Sequence, residues 1–206
     1  MKSFLQRHAS LSIAVLALLA AAGGAAAYLA SRGSGSNSDA STSVGQPRIG
    51  GAFELLDRNG HAFTEKDLLG RPFALYFGYT RCPDVCPTTL MRLATWRRAL
   101  GADGERLQIV FVSVDPDIDT PASVGNYADL FHANILGLTG TPEQIARIAS
   151  AYRVVYAKVP QPSGGYNIDH STYAYLVDDA GRLFDVISPL DSEDGARAKL
   201  RRLVSR

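Results

Sequence analysis

Cys82 and Cys86 are the only two thiols in this chain of 206 residues. They lie in the stretch FALYFGYTRCPDVCPTTL, residues 73 to 90. Thiolates attack disulfides and bind soft metal ions, so two chemistries are open to the pair. The flanking residues say what positions them. Phe73 to Phe77 is an apolar, aromatic run that predicts a buried strand, Gly78 and Pro83 mark a loop, and Pro87 before a helix-favouring run predicts a helix start. A strand therefore delivers both sulfurs to a helix N-terminus, where unpaired N–H groups and the macrodipole favour thiolate.

The Cys-x-x-x-Cys spacing is one residue wider than the Cys-x-x-Cys of thioredoxin-type oxidoreductases. With Cys86 on the first helical turn the sulfurs converge on one side, an arrangement suited to a soft ion such as Cu(I), while a disulfide stays geometrically allowed. The plainer alternative is a structural disulfide or two buried free thiols. Pro83, Asp84 and Pro87 give the loop an exposed, polar character that argues against a core site.

Two soft ligands rarely complete a metal site, which directs attention to the four histidines. His8 belongs to an N-terminal targeting segment, His61 to a predicted hairpin, and His132 to a helix end where positive charge suits the dipole. His170 follows a Gly-rich loop, precedes a strand, and has Asp169 beside it as a candidate orienting acid.

The remaining elements follow in order. Ala9 to Ala30 is an uncharged, apolar run preceded by Lys2 and Arg7. It is long enough to span a bilayer, for which about 20 residues suffice, and predicts an uncleaved anchor with the rest of the chain outside the cytoplasm. Ala25-Ala26-Ala27 offers a signal-cleavage site as the competing reading. Residues 31–46, rich in Ser and Gly, predict a flexible tether, and the folded domain occupies 47–206. Within it, Phe53 to Leu56 and His61 to Thr64 flank Asn59-Gly60 as a hairpin. Thr88 to Leu100 predicts a helix, and LQIVFVSV (Leu107 to Val114) a strand buried on both faces. Helices are expected over about Ala122 to Phe131, from Thr141-Pro142 to about Tyr152, and from about Asp191. Strands are expected over Arg153 to Val159, Thr172 to Val177 and Leu183 to Ile187, with Pro160 to Gly165 a loop. The plan is α/β, a mixed central sheet flanked by helices.

Composition excludes other classes. Beyond the two basic residues of the first thirty, 19 basic and 20 acidic residues remain, a net charge of −1 with no basic block, which argues against nucleic acid as a partner. Two cysteines cannot build a multi-bridge secreted scaffold.

Four segments, GYTRCPDVCPTTL (78–90), VSVDPDIDTP (112–121), GLTGTPEQI (137–145) and DHSTYAYLVDDAGRL (169–183), occur in an order that closely resembles the Sco/SenC family of copper-binding proteins. The resemblance covers the folded domain. It implies a thioredoxin-like fold and one N-terminal span in the bacterial inner membrane. The domain would then lie in the periplasm, or in the intermembrane space if the source is mitochondrial. It further implies a role in assembling the CuA centre of cytochrome c oxidase, with Cys82, Cys86 and His170 as copper ligands. Asp115 and Asp119 match the family's acidic loop, read as structural or partner-facing.

The expected function is thus a membrane-tethered copper metallochaperone, not an enzyme. Its partners would be the oxidase subunit carrying CuA and other copper chaperones or thiol reductants. The alternative is a thiol-disulfide oxidoreductase that reduces the subunit's cysteines before copper arrives, with Cys82 and Cys86 as its redox pair. A peroxide-scavenging or redox-sensing protein would need one thiolate activated by an electropositive neighbour, for which Arg81 is the candidate, and would leave the Cys/Cys/His trio without a role.

Overall fold

The computed structural model describes residues 49–206. The expected anchor (1–30) and tether (31–46) lie outside the described residues, among which no helix is long and apolar enough to cross a membrane. The domain is built on a sheet in the order β5-β4-β3-β8-β9. Its strands are β3 (Phe73–Gly78), β4 (Gln108–Ser113), β5 (Ile135–Leu138), β8 (Ala174–Val177) and β9 (Leu183–Ile187). β3, β4 and β5 run parallel, while β8 and β9 are antiparallel additions, so the sheet is mixed, as expected.

Every residue of β3 and β4 is buried, which requires cover on both faces. On one face Tyr76, Gly78 and Phe111 approach Cys86 of α1 (Val85–Ala99). On the other, Phe77 packs on Tyr152, from α4 (Pro142–Tyr152), and on Tyr175 of β8. Truncating a ring of this kind costs about 3–5 kcal/mol. The remaining helices are α2 (Ala102–Arg106), α3 (Pro121–Asp129), which packs on β5, and α5 (Glu193–Val204), which packs on α1, α2, β8 and β9. Caps place three of these starts where the sequence suggests. Thr120 and Ser192 each accept an N–H bond from the first turn, and Thr141 with Gln144 forms a capping box ahead of Pro142.

Around the sheet sit two ribbons. The predicted hairpin forms from β1 (Glu54–Leu56) and β2 (Ala62–Thr64). Asp57 accepts from the N–H groups of Asn59 and His61 across a turn in which Gly60 has φ +79°. The ribbon joins the sheet through the bridge between Leu56 and Thr139, just beyond β5. The second ribbon differs from expectation. β6 (Tyr156–Pro160) and β7 (Tyr166–His170) pair antiparallel in a sheet of their own. His170 therefore ends a strand rather than sitting in a loop before one. The expected loop shrinks to the turn between them, where Gly164 (φ +91°) and Gly165 (φ +75°) adopt backbone that L side chains resist. α1 also begins earlier than predicted, at Val85, with Pro87 tolerated inside the first turn, where its missing N–H costs nothing.

Candidate metal centre

β3 ends at Gly78, and its end forms one wall of the site. A methyl group at Gly78 would lie 2.7 Å from Cys86 Sγ and 3.0 Å from the Phe111 ring, so glycine is needed for Cys86 to tuck beneath the strand. The chain then turns, Cys82 N–H donating to Tyr79 O at 3.2 Å, and enters α1 through Asp84. Cys86, the second residue of α1, donates its backbone N–H to Cys82 Sγ at 3.4 Å. The helix N-terminus thus serves the sulfur outside the helix.

Charge follows from these contacts. The Cys86 thiol beside Cys82, joined by the backbone N–H groups of Cys86 and Asp84, outweighs burial and brings the Cys82 thiol down to about 5. The same contact with Cys82, reinforced by burial, pushes Cys86 up. In the metal-free pair one proton stays with Cys86 and the negative charge rests on Cys82. Both thiols are free, and both are buried, contrary to the exposed setting suggested by the loop's prolines and aspartate. Cys82 and His170 line a cleft with Tyr79, Pro83, Val85 and Thr172, whereas Cys86 lies behind it.

His170 arrives from β7. Its Nδ1 lies 2.9 Å from the Ser171 carbonyl, and Nε2 lies 3.3 Å from Cys86 Sγ. A carbonyl only accepts, so Nδ1 carries the hydrogen and Nε2 points its lone pair at the sulfurs. The orienting group is the Ser171 carbonyl rather than the Asp169 carboxylate. Ser171 is itself pinned to Val155, its N–H donating to the Val155 carbonyl at 2.9 Å and its Oγ accepting from the Val155 N–H at 3.0 Å. Tyr76 and Tyr79 approach the imidazole edge-on, with ring centroids 6.1 and 6.0 Å away. One ligand atom from each of Cys82, Cys86 and His170 falls within 4.8 Å of the other two. Two sulfurs and one imidazole, with no hard carboxylate among them, form a donor set fitted to soft copper. Among the other described histidines, His61 and His132 are exposed and join no such cluster.

Within the acidic loop Asp117 and Ile118 are exposed, but the two aligned aspartates, Asp115 and Asp119, are buried, which removes a partner-facing role for them. Asp119 accepts from Thr80 N–H at 2.8 Å, from Thr80 Oγ1 at 2.6 Å and from Ser113 Oγ at 2.5 Å, fixing the start of the cysteine loop. Asp115, wholly buried, pairs with Arg81 at 3.0 Å and accepts from Tyr166 Oη at 2.7 Å. It ties the cysteine loop to the histidine ribbon. Arg81 and Lys158 both lie over the Tyr166 ring, and Lys158 also pairs with Asp117. Arg81 is thereby engaged by Asp115 and Tyr166 rather than by a sulfur. Tyr166 escaped the sequence reading, although the alternation Tyr166, Ile168, His170 carries the period of a strand.

The model of the SCO1/SenC family matches residues 41–205. The chain belongs to the SCO1/SenC family. This family member is 38% identical over 180 residues to the mitochondrial protein SCO1 of Saccharomyces cerevisiae, covering 84% of this chain and 61% of that protein, so it spans less than two thirds of the relative's length. It is similar to the structure of Bradyrhizobium japonicum ScoI with copper bound, with a TM-score of 0.68 at 43% identity over 75% of this chain and 99% of the other. Yeast Sco1 with copper bound gives a TM-score of 0.70 at 38% identity over 77% and 90%. The mixed sheet flanked by helices is the fold of these Sco structures.

Proposed function

We propose that this SCO1/SenC protein is a copper metallochaperone that holds copper through Cys82, Cys86 and His170 and serves assembly of the CuA centre of cytochrome c oxidase. One observation carries the reading: the three soft donors lie within 4.8 Å of one another, with the imidazole locked in the tautomer that leaves Nε2 free. Copper bound to Sco relatives 38% and 43% identical to this chain supports the choice of metal. Two thiolates and a neutral imidazole suit Cu(I) and accept Cu(II) with a further ligand. Release to an acceptor proceeds by ligand exchange, the acceptor's thiols replacing Cys82 and His170 at the cleft. The apolar run Ala9 to Ala30 would tether the domain to a membrane, outside the cytoplasm and near the oxidase.

The test is copper stoichiometry and the X-ray absorption ligand set of the purified full chain, alongside Cys82→Ser, Cys86→Ser and His170→Ala. The wild type should bind copper with sulfur and nitrogen neighbours, and each variant should lose stoichiometric binding. Undiminished binding by all three variants would overturn the assignment.

The division of charge between the thiols favours a second reading, reduction of the oxidase subunit's cysteines. The Cys82 thiolate would attack a partner disulfide to give a mixed disulfide and one partner thiolate. Cys86 would then lose its proton and displace the second. The partner gains two electrons, and the Cys82–Cys86 pair loses them in forming its own disulfide. His170 is dispensable in that scheme. Restoration of oxidase assembly by His170→Ala without bound copper would favour it over the chaperone.

A further inference from the structure

The Tyr76 hydroxyl is a buried polar atom with no well-formed hydrogen bond. Its residue is wholly buried in the middle of the sheet. An orphaned buried donor costs free energy, which is explicable when another state of the protein uses it. Its neighbours identify that state. The phenol stands on the same face of β3 as Gly78, against which Cys86 Sγ packs, and its ring stands edge-on to His170 at 76°. Thr89 of α1 is the other polar group near the hydroxyl. A hydrogen bond donated by Thr89 to the phenolic oxygen still leaves the phenolic hydrogen to be placed.

A thiol sulfur is a weak acceptor, whereas a metal-bound thiolate is charged and carries available lone pairs. We propose that Tyr76 donates its hydroxyl hydrogen to the Cys86 thiolate of the copper-bound form and so sets the balance between Cu(I) and Cu(II) at the site. The inference rests on the copper reading above. A hydrogen bond onto the sulfur withdraws electron density that Cu(II) needs more than Cu(I) does, and hydrogen bonding around a cysteine sulfur is an established lever on copper potentials. A phenol titrates ordinarily near 10, so Tyr76 remains a donor at neutral pH.

The fold supplies its own control. The Tyr127 hydroxyl is likewise buried and without a partner, but its ring packs on Phe111 and it meets the sulfurs only through their charge.

The experiment compares full-length wild type, Tyr76→Phe and Tyr127→Phe, metal-free and loaded with Cu(I) or Cu(II). Metal-free Tyr76→Phe should melt no lower than wild type. Its copper stoichiometry should be unchanged, while its sulfur-to-Cu(II) charge-transfer band moves to longer wavelength. The potential of the bound copper should fall, reflecting a shift of roughly tenfold in the ratio of Cu(II) to Cu(I) affinity. Tyr127→Phe should leave band and potential in place. An unmoved band and potential in Tyr76→Phe, an equal shift in Tyr127→Phe, or a lower melting temperature of metal-free Tyr76→Phe would each overturn the inference. A wild type that binds no copper would overturn the copper reading along with it, whereas a copper-binding wild type with unmoved Tyr76→Phe signals overturns this inference alone.

Discussion

Tyr166 donates its phenolic hydrogen to Asp115 at 2.7 Å across 51 positions of sequence. Asp115 lies two residues beyond β4 and also holds Arg81, one residue before Cys82. The bond therefore couples the part of the chain that carries the sulfurs to the part that carries the imidazole.

Tyr166→Phe removes that bond and keeps the ring beneath Arg81 and Lys158. Hydrogen bonds to charged groups contribute about 1.5–3 kcal/mol, and loss of an outer partner of a metal ligand costs roughly 10- to 100-fold in affinity. Tyr166→Phe is expected to weaken copper binding toward the lower end of that range, read by competition with a Cu(I) chelator. Asp115→Asn should weaken it further, since it also discharges the partner of Arg81. Wild-type affinity in both variants would show that the link does not position His170.

Gly78→Ala places a carbon 2.7 Å from Cys86 Sγ. Neither the sulfur nor Phe111 has room to retreat, because both residues are wholly buried. Overpacking of this kind costs about 1–3 kcal/mol. The variant should show a lowered denaturation midpoint together with reduced copper stoichiometry. A protein that melts like wild type and fills with copper would contradict the packing described.

Cys82 lines the cleft and Cys86 lies behind it. In the reduced, metal-free protein a small alkylating reagent should modify Cys82 first, with Cys86 following only on partial opening. Peptide mapping by mass spectrometry at short times reads the order directly, and preferential labelling of Cys86 would reverse the assignment of outer and inner sulfur.

Asp178 provides the pH test. Burial raises its carboxyl, but N–H bonds from Arg182 and Ala180 and the bond to the Arg182 guanidinium together outweigh it and hold the pKa below the usual value. A carboxyl depressed in the folded state contributes stability that is present above its unfolded pKa, about 3.9, and is lost as pH falls through the lower folded value. Asp178→Asn should therefore be less stable than wild type at pH 7, by about 1–3 kcal/mol. The gap should close as pH falls through the lowered folded value, where the wild-type carboxyl is itself protonated. Urea midpoints followed from pH 7 down through that transition measure it, and a constant gap would assign the loss to geometry rather than charge.

The site was legible where chemistry is written in residue type and fold in periodicity. Cys82, Cys86 and His170 were named from spacing, a loop and a resemblance, and the strands Phe73–Gly78 and Gln108–Ser113 from unbroken apolar runs. β5 was missed because four residues are too few to show a period, and it becomes a strand only through its ladder with β4. Of the ribbon, β6 answers to the strand expected over Arg153 to Val159, whereas β7 was missed for the opposite reason. Its residues are largely polar and half-exposed, so its alternation competes with the look of a loop. The link from Asp115 to Tyr166 carries no local signal, since its partners meet only after β4 and β7 are in place.

The ribbon of β6 and β7 shares no ladder with the five-stranded sheet. The two cysteines follow directly on β3, which is buried throughout its length, whereas His170 ends a ribbon of largely half-exposed residues whose local opening free energy can lie far below that of the whole domain. A grip assembled from two bodies of unequal stiffness can let go without the protein unfolding. On the proposed copper reading, the strength of the grip is then set by a few bonds at the base of the ribbon, a quantity that sequence change can adjust without disturbing the core.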